Sequence, residues 1–285
     1  MSRIEDALTR AGRPPAPPPG GAEPPPWNFE RVAPPPPPPL EAGAGQLLSR
    51  LADPLLDKVV ISSRIPSASL EQFRRLGATL HHAQTQKGTR VLMVASAQPG
   101  EGKTLTATNL ALTLSESYRR RVLLIDADLR RPTLHELFAL PNVAGLSEGL
   151  NSDTEQKLTI TPISPMLSLL AAGAPNPDPM SALTSGRMRT VIDEARETFE
   201  WVIIDTPPVT LITDAALLAA MVDGIVLVVQ AAATPYTLVR RTIDTVGRGR
   251  IVGVVLNRAA EAAPRASYYA SYLAHSQSGR GLARG

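Results

Sequence analysis

The stretch that most constrains this chain is a glycine-rich loop between an apolar run and a run with helical spacing. It reads RVLMVASAQPGEGKTLTATNLALTL at residues 90–114. The apolar run (90–96) predicts a buried strand, and residues 103–117 predict a helix. Glycines in the loop let the backbone wrap a phosphate with its N–H groups pointing inward. A strand, such a loop and a helix in this order predict a phosphate-binding loop in a nucleotide-binding α/β domain.

The loop suggests roles for its individual residues. The helix that begins at Lys103 directs its positive dipole end at the phosphates. We expect Lys103 to reach β- and γ-phosphate oxygens, and the hydroxyl of Thr104 to be a ligand of Mg²⁺. The loop begins at Ala97, where the usual pattern has glycine. The predicted nucleotide-binding residues here are Gln98, Pro99, Gly100, Glu101, Gly102, Lys103, Thr104 and Leu105.

Two further apolar runs end in aspartates. WVIIDTPP (201–208) predicts a strand that places Asp205 at the sheet edge beside the phosphate loop, where a carboxylate can hold Mg²⁺ through water. RVLLIDAD (121–128) predicts a second strand, with Asp126 and Asp128 at its end. In an extended segment these two side chains point the same way, so both are expected to face the nucleotide. The pair suits a Mg²⁺ site with an added catalytic base. An aspartate-closed turn is the alternative.

The rest of the chain alternates between strand-like and helix-like runs. The apolar, β-branched strands are typical of parallel strands buried on both faces, so we predict a doubly wound, mostly parallel α/β sheet. Proline-rich residues 1–54 are predicted to be disordered, with a short helix at 2–12. Residues 55–260 form the predicted domain, and 261–285 a flexible tail. The further predicted strands are 167–173, 224–231 and 251–257, and the further helices 181–198, 214–222 and 235–247.

Composition excludes several function classes. The 285 residues contain no cysteine, which removes disulfides, thiolate zinc sites and cysteine-ligated iron–sulfur clusters. No apolar run approaches the roughly 18–20 residues that span a bilayer, and the charged N-terminus lacks the apolar region of a signal peptide. The expected location is therefore the cytoplasm. The net charge of +3 is small and dispersed, so no nucleic-acid partner is expected.

Tyrosines cluster near the end of the chain. Three of the five occur in SYYASYLAHS, at Tyr268, Tyr269 and Tyr272. Aromatic side chains in a polar segment without a core pattern are unusual, because nothing buries them there. A short helix that packs Tyr268 and Tyr272 against the domain is the alternative.

Taken together, AQPGEGKT, LLIDADLRRP and VIIDTPP resemble the motifs of the bacterial tyrosine kinases (BY-kinases) of capsule and exopolysaccharide export. The resemblance covers roughly residues 65–272, and implies a P-loop NTPase of the deviant-Walker type, related to the partition ATPases. It implies an autokinase that uses ATP and Mg²⁺. The catalytic residues would be Lys103, Asp126, Asp128 and Asp205, with Thr104, Asp126 and Asp205 as the metal site.

The resemblance also implies finer roles. Asp128 would accept the tyrosine proton, and Asn257 would lie near the adenine. Tyr268, Tyr269 and Tyr272 would be phosphorylated in trans within a ring. The implied partners are further copies of the chain, a transmembrane polysaccharide co-polymerase that activates the kinase and recruits it to the membrane, and a cognate tyrosine phosphatase. In place of the family's Glu-Arg-Arg oligomerisation signature, the chain has Glu71, Arg74 and Gly77, which leaves ring formation open.

Two other functions remain open. A MinD- or ParA-like ATPase switch shares the fold, but such proteins carry a signature lysine where this chain has Gln98. An ATP-binding scaffold without useful phosphotransfer would show the same binding residues.

Overall fold

The computed structural model describes residues 51, 56–62, 65–151, 158–176, 178–211 and 215–259. The predicted N-terminal helix at 2–12, almost all of the proline-rich segment 1–54 and the tail 261–285 lie outside these residues. The three tail tyrosines lie outside them as well.

The described residues form one seven-stranded sheet. The strand order is β3-β4-β2-β5-β1-β6-β7, and every pair is parallel except β3 with β4. This confirms the predicted mostly parallel, doubly wound sheet. The strands are β1 (Val91–Ser96), β2 (Val122–Asp126), β3 (Thr161–Pro162), β4 (Leu167–Leu170), β5 (Trp201–Asp205), β6 (Gly224–Gln230) and β7 (Ile251–Asn257).

Helices cover both faces of the sheet. One core contains side chains of α1 and α2, such as Leu80 and Leu110, and the other contains side chains of α6, α7 and α8, such as Val191 and Leu218. The helices are α1 (Ser67–Lys87), α2 (Lys103–Leu112), α3 (Leu134–Leu137), α4 (Leu146–Asn151), α5 (Pro179–Leu183), α6 (Gly186–Thr198), α7 (Ala215–Ala220) and α8 (Tyr236–Val246). A π-helical turn, Thr113–Ser117, extends α2, and 3₁₀ turns occupy Val209–Leu211 and Arg248–Arg250.

Several predicted boundaries are wrong for local reasons. The strand predicted at 121–128 ends at Asp126, because the next residues turn. The helix predicted at 181–198 is two helices, since the Ser185 hydroxyl accepts a hydrogen bond from the Met188 N–H and starts α6 anew. Strand β7 is not buried on both faces: it is the sheet edge, and Val254 and Leu256 are exposed.

The position that departs from the family signature, Gly77, is buried in α1 beneath the ring of Tyr118. A Cβ at this position would lie 2.8 Å from Tyr118 Cε2. The Tyr118 hydroxyl donates a hydrogen bond to the Arg74 carbonyl at 2.9 Å, which holds the ring in place. Glu71 pairs with Arg75 at 3.2 Å on the exposed side of the helix. Position 77 therefore serves helix packing rather than an exposed surface.

Candidate functional site

Sheet register brings the predicted carboxylates to one edge. Strand β5 lies between β1 and β2, and Asp126 is directly opposite Asp205 in the β2–β5 pair. Because the three strands are parallel, their carboxyl ends meet where the phosphate loop leaves β1. Burial of these strands leaves Asp126 0% and Asp205 1% exposed. The two aspartates, which are far apart in sequence, therefore share one buried site beside the loop.

The loop has the backbone shape that its glycines were expected to permit. Gly100 has a φ of 79° and Gly102 a φ of 93°, values that favour glycine over residues with a Cβ. Helix α2 starts at the next residue, Lys103, so its free N–H groups and dipole point into the loop. The lysine side chain is 7% exposed, and among the described residues no carboxylate forms an ion pair with it. It is thus available for an anionic ligand.

Asp205 connects the loop to the central strand. Its Oδ2 accepts a 2.6 Å hydrogen bond from the Thr104 hydroxyl. Its Oδ1 is buried and has no hydrogen-bond partner among the described residues. Burial raises the pKa of Asp205 to about 6, although the positive charge of Lys103 and the Thr104 hydrogen bond act in the opposite direction. A buried carboxylate oxygen of this kind needs a cation or a donor.

Asp126 organises the turn that follows β2. Its two oxygens accept hydrogen bonds from the backbone N–H groups of Asp128, Thr133 and Leu134, at 3.1, 3.1 and 3.0 Å. The last two donors open α3, so the Asp126 side chain caps that helix from a neighbouring strand. Burial raises the pKa of Asp126 to about 8, and the charge of Asp205 adds to the rise.

Asp128 lies in a turn rather than in an extended strand. Strand β2 thus ends two residues earlier than predicted, and the expectation that Asp126 and Asp128 both face the nucleotide stays a prediction. Its Oδ1 accepts a hydrogen bond from the Arg131 N–H at 3.1 Å, which is the alternative turn geometry. Partial burial raises the pKa of Asp128, while that N–H and the charge of Lys103 act to lower it. The Asp128 N–H donates a hydrogen bond to Asp126 Oδ1 at 3.1 Å, so Asp128 lies beside the buried aspartates at the sheet edge.

Asn257 and Glu101 meet at the other side of the loop. The Asn257 side-chain amide, at the end of β7, donates a hydrogen bond to the Glu101 carbonyl at 2.8 Å. A Cβ on Gly102 would lie 2.1 Å from Asn257 Nδ2, so only glycine fits there. The Gln98 N–H is taken by the Glu101 carboxylate at 2.8 Å. Both Asn257 and Gln98, predicted as nucleotide-binding residues, therefore lie at the loop and have contacts within the protein.

Sequence reasoning missed two threonines. The Thr133 hydroxyl lies 3.5 Å from that of Thr104, and its N–H binds Asp126. The signal was a threonine followed three residues later by Glu136, a pattern typical of a helix start. The hydroxyl of Thr234, after β6, donates a hydrogen bond to a carboxylate oxygen of Glu101. No local pattern reveals this contact, since 133 positions separate the two residues.

The residues present fit a magnesium ion that arrives with a nucleotide. Mg²⁺ is commonly held by one or two carboxylates together with substrate phosphates, rather than by a complete protein cage. The Asp205 carboxylate and the Thr104 hydroxyl provide hard oxygen ligands. The described part of the chain has no cluster of three or more His, Asp or Glu side chains arranged as a metal site.

Comparison with curated proteins identifies the family. Tyrosine-protein kinase YwqD of Bacillus subtilis is 32% identical over 202 residues, which cover 70% of this chain and 85% of YwqD. Tyrosine-protein kinase CpsD of Streptococcus agalactiae is 32% identical over 191 residues, which cover 65% of this chain and 82% of CpsD. The chain belongs to the bacterial tyrosine kinases. The family predicted from the motifs is thereby confirmed, and the kinase interpretation is better supported than the ATPase switch.

Longer relatives contain the same domain as one part. The match to tyrosine-protein kinase wzc of Salmonella typhimurium is 33% identical but covers only 27% of that protein. Within the ranges described for the present chain, no helix is both long and apolar enough to span a bilayer.

Solved structures agree with this assignment. The chimerical protein CapA2B2 is 29% identical with a TM-score of 0.64, covering 72% of this chain and 91% of that structure. The kinase domain of the Escherichia coli tyrosine kinase ETK is 31% identical with a TM-score of 0.60, covering 68% and 78%. MinD of Pyrococcus horikoshii, at 20% identity and a TM-score of 0.51, covers 63% and 75% and shares the fold alone.

The ParA family model, described as "NUBPL iron-transfer P-loop NTPase", matches residues 87–283. This confirms the P-loop NTPase fold, and membership of that fold implies nucleotide binding. The iron-transfer part of the description does not extend to cysteine-ligated clusters here, because the sequence has no cysteine.

Proposed function

We propose that this tyrosine kinase transfers the γ-phosphoryl group of MgATP to its own C-terminal tyrosines, Tyr268, Tyr269 and Tyr272. In this way it would regulate exopolysaccharide or capsule polymerisation and export. The single observation that carries the proposal is the meeting of three groups at one sheet edge. These are Lys103, a buried lysine on a phosphate loop, the buried Asp205, one oxygen of which has no partner within the described ranges, and Asp128, whose pKa is raised.

Each group has a part in the transfer. The loop N–H groups and Lys103 would bind and orient the phosphates, while Thr104, Asp126 and Asp205 would hold the metal site together. Bound Mg²⁺ supplies positive charge that stabilises the phosphoryl group during transfer. A bond forms between the tyrosine oxygen and the γ-phosphorus, and the bond from that phosphorus to the oxygen it shares with the β-phosphate breaks. ADP leaves with that oxygen.

The tyrosine proton goes to Asp128 in this proposal. A free tyrosine hydroxyl has a pKa near 10, so it keeps its proton at neutral pH unless a base accepts it. A carboxylate is a better proton acceptor when its pKa is raised toward the working pH, which is the direction found for Asp128. The exposed neighbours Arg130 and Arg131 are suited to attract phosphate or the incoming tail.

The proposed partners extend the family resemblance. The cytoplasmic end of a transmembrane polysaccharide co-polymerase would activate the kinase and recruit it to the inner face of the membrane. Further copies of the chain would present their tails in trans, and a tyrosine phosphatase would reset them. The segment before the proline-rich linker is a candidate second docking point. Deletion of residues 1–45 with unchanged membrane recruitment would remove that role.

The decisive test is incubation of the purified full chain with MgATP, with and without a peptide from a candidate co-polymerase. Phosphate would then be mapped by mass spectrometry. We expect phosphate on Tyr268, Tyr269 or Tyr272, and none in the Lys103→Met variant. ATP hydrolysis with an unmodified tail, even with the peptide present, would indicate an ATPase switch. Nucleotide binding with neither reaction would indicate a scaffold.

A further inference from the structure

A carboxylate lies within the phosphate loop itself. Glu101 lies between the two glycines of the loop, and only 2% of its surface is exposed. A buried negative charge beside a phosphate-binding loop is unfavourable unless it is compensated, because it repels the ligand and loses its own hydration. The contacts of this side chain show what compensates it.

Both carboxylate oxygens of Glu101 accept hydrogen bonds from the protein. Oε2 accepts the Gln98 N–H at 2.8 Å, and Oε1 accepts the Thr234 hydroxyl. The carboxylate therefore bridges the first turn of the loop and the segment that follows β6. Thr234 is itself fixed, since its oxygen accepts the Gln230 N–H at 3.0 Å.

The backbone of Glu101 is fixed from a third direction. Its carbonyl accepts the Asn257 amide at 2.8 Å, and Asn257 Oδ1 accepts the N–H of Arg258 at 2.9 Å. Arg258 then donates to the Gln230 side chain at 3.2 Å. The ends of β6 and β7 are thus connected to one residue of the loop and to each other.

We infer that Glu101 is a positioning residue, which holds the phosphate loop in its binding shape by tying it to Thr234 and Asn257. Both oxygens of its carboxylate are taken by contacts within the protein. The carboxylate removes the Gln98 N–H from the set of phosphate donors and keeps the positive-φ glycines on either side in register. The phosphate N–H groups are then in position before the ligand arrives, so less ordering is needed on binding. This inference rests on nucleotide binding by the loop, and not on phosphotransfer.

The test uses the full chain, with titration of ADP in the presence of Mg²⁺ as the readout. Thr234→Val removes the hydroxyl and keeps the shape, whereas Thr234→Ser keeps the hydroxyl. Because a hydrogen bond to a charged group contributes about as much as a tenfold change in affinity, we expect Thr234→Val and Glu101→Gln each to weaken ADP binding about tenfold. Thr234→Ser should bind within about twofold of the wild type.

Thr242→Val is the matched control. Thr242 is buried in α8, and its hydroxyl has no partner among the described residues. Thr242→Val therefore makes the same chemical change as Thr234→Val but removes no contact to the loop. Its ADP affinity should stay unchanged. In the double variant of Glu101 and Thr234, the two losses should be less than additive, since both remove one interaction.

A purely structural role would give a different pattern. If Thr234→Val lowered the melting temperature of the nucleotide-free chain but left ADP affinity unchanged, the positioning role would be overturned. Equal weakening by Thr234→Ser or Thr242→Val would also overturn it. Failure of the tail phosphorylation assay would not affect this result, because ADP binding does not require transfer to tyrosine.

Discussion

The Thr104 hydroxyl and Asp205 Oδ2 are joined by a 2.6 Å hydrogen bond between the phosphate loop and the end of the central strand. The other oxygen of Asp205 has no partner among the described residues. Thr104 and Asp205, two of the three residues proposed to hold Mg²⁺, are therefore fixed in position with respect to each other. This pairing makes the metal dependence of nucleotide binding a sensitive measure of the site.

Asp205→Asn is expected to weaken nucleotide binding that depends on Mg²⁺ and to leave binding without Mg²⁺ largely unchanged. The amide can still accept the Thr104 hydrogen bond, but it lacks the negative charge that favours Mg²⁺. We expect the affinity for Mg·ADP to fall about 10–100-fold, the range found when a partner of a metal site is lost. ADP binding in EDTA should change little. Titrations with and without Mg²⁺ would check this, and an equal loss in both would contradict the metal role.

The raised pKa values predict how stability depends on pH without nucleotide or metal. Asp205 has a folded pKa of about 6 and Asp126 of about 8, whereas an unfolded aspartate has one near 3.9. The folded state binds more protons between these values, so stability falls as pH rises. The free energy of unfolding begins to fall above about pH 4. The part that Asp205 contributes is lost through pH 6, and the part that Asp126 contributes through pH 8.

Asp205→Asn isolates one part of this dependence, because asparagine does not titrate. Between pH 5 and pH 7 the melting temperature of the wild type should therefore fall relative to that of Asp205→Asn. Saturating Mg·ADP should abolish or reverse the trend, since a bound cation favours the ionised carboxylates. A difference that stays constant with pH would show that Asp205 does not titrate in this range.

Asp128→Asn should affect chemistry rather than binding. The amide oxygen can still accept the Arg131 N–H that shapes the turn, so the loop geometry should persist. Loss of a general base typically lowers the rate about 10²–10⁴-fold. We expect phosphotyrosine formation to fall by this factor with ADP affinity within about threefold of wild type. Near wild-type transfer by this variant would rule out Asp128 as the base.

Gly77→Ala should lower the stability of the kinase, although alanine favours helices. The helix gain is about 1 kcal/mol, but overpacking against the fixed Tyr118 ring costs about 1–3 kcal/mol. We expect a net loss of about 1 kcal/mol in urea unfolding. In a Tyr118→Ala background the same substitution should stabilise the chain. Stabilisation in both backgrounds would show that the ring moves aside freely.

The extent of sequence-based prediction follows from how local each signal is. Short apolar runs and the glycine-rich loop between two of them are local signals. They suffice to predict the loop, the strands that carry Asp126 and Asp205, and the sheet type. The turn at Asp128 was placed on a strand because residue alternation cannot reveal where backbone pairing stops. The Glu101–Thr234 contact was missed because only the folded sheet brings the two residues together. The exposed edge at β7 was missed because an apolar strand looks the same at an edge and in a sheet centre.

The order of strands has a consequence for how the kinase is made. Strands β1 and β2 carry the loop and Asp126, yet neither pairs with the other; β5 lies between them. Since domains form during synthesis from the N-terminus onward, a nascent chain without residues 201–205 has the loop and Asp126 but lacks both Asp205 and the strand that aligns them. The tether at Asn257 comes later still, just before the segment that carries the tyrosines. The contacts that hold the loop are therefore complete only when the chain has been synthesised as far as Asn257.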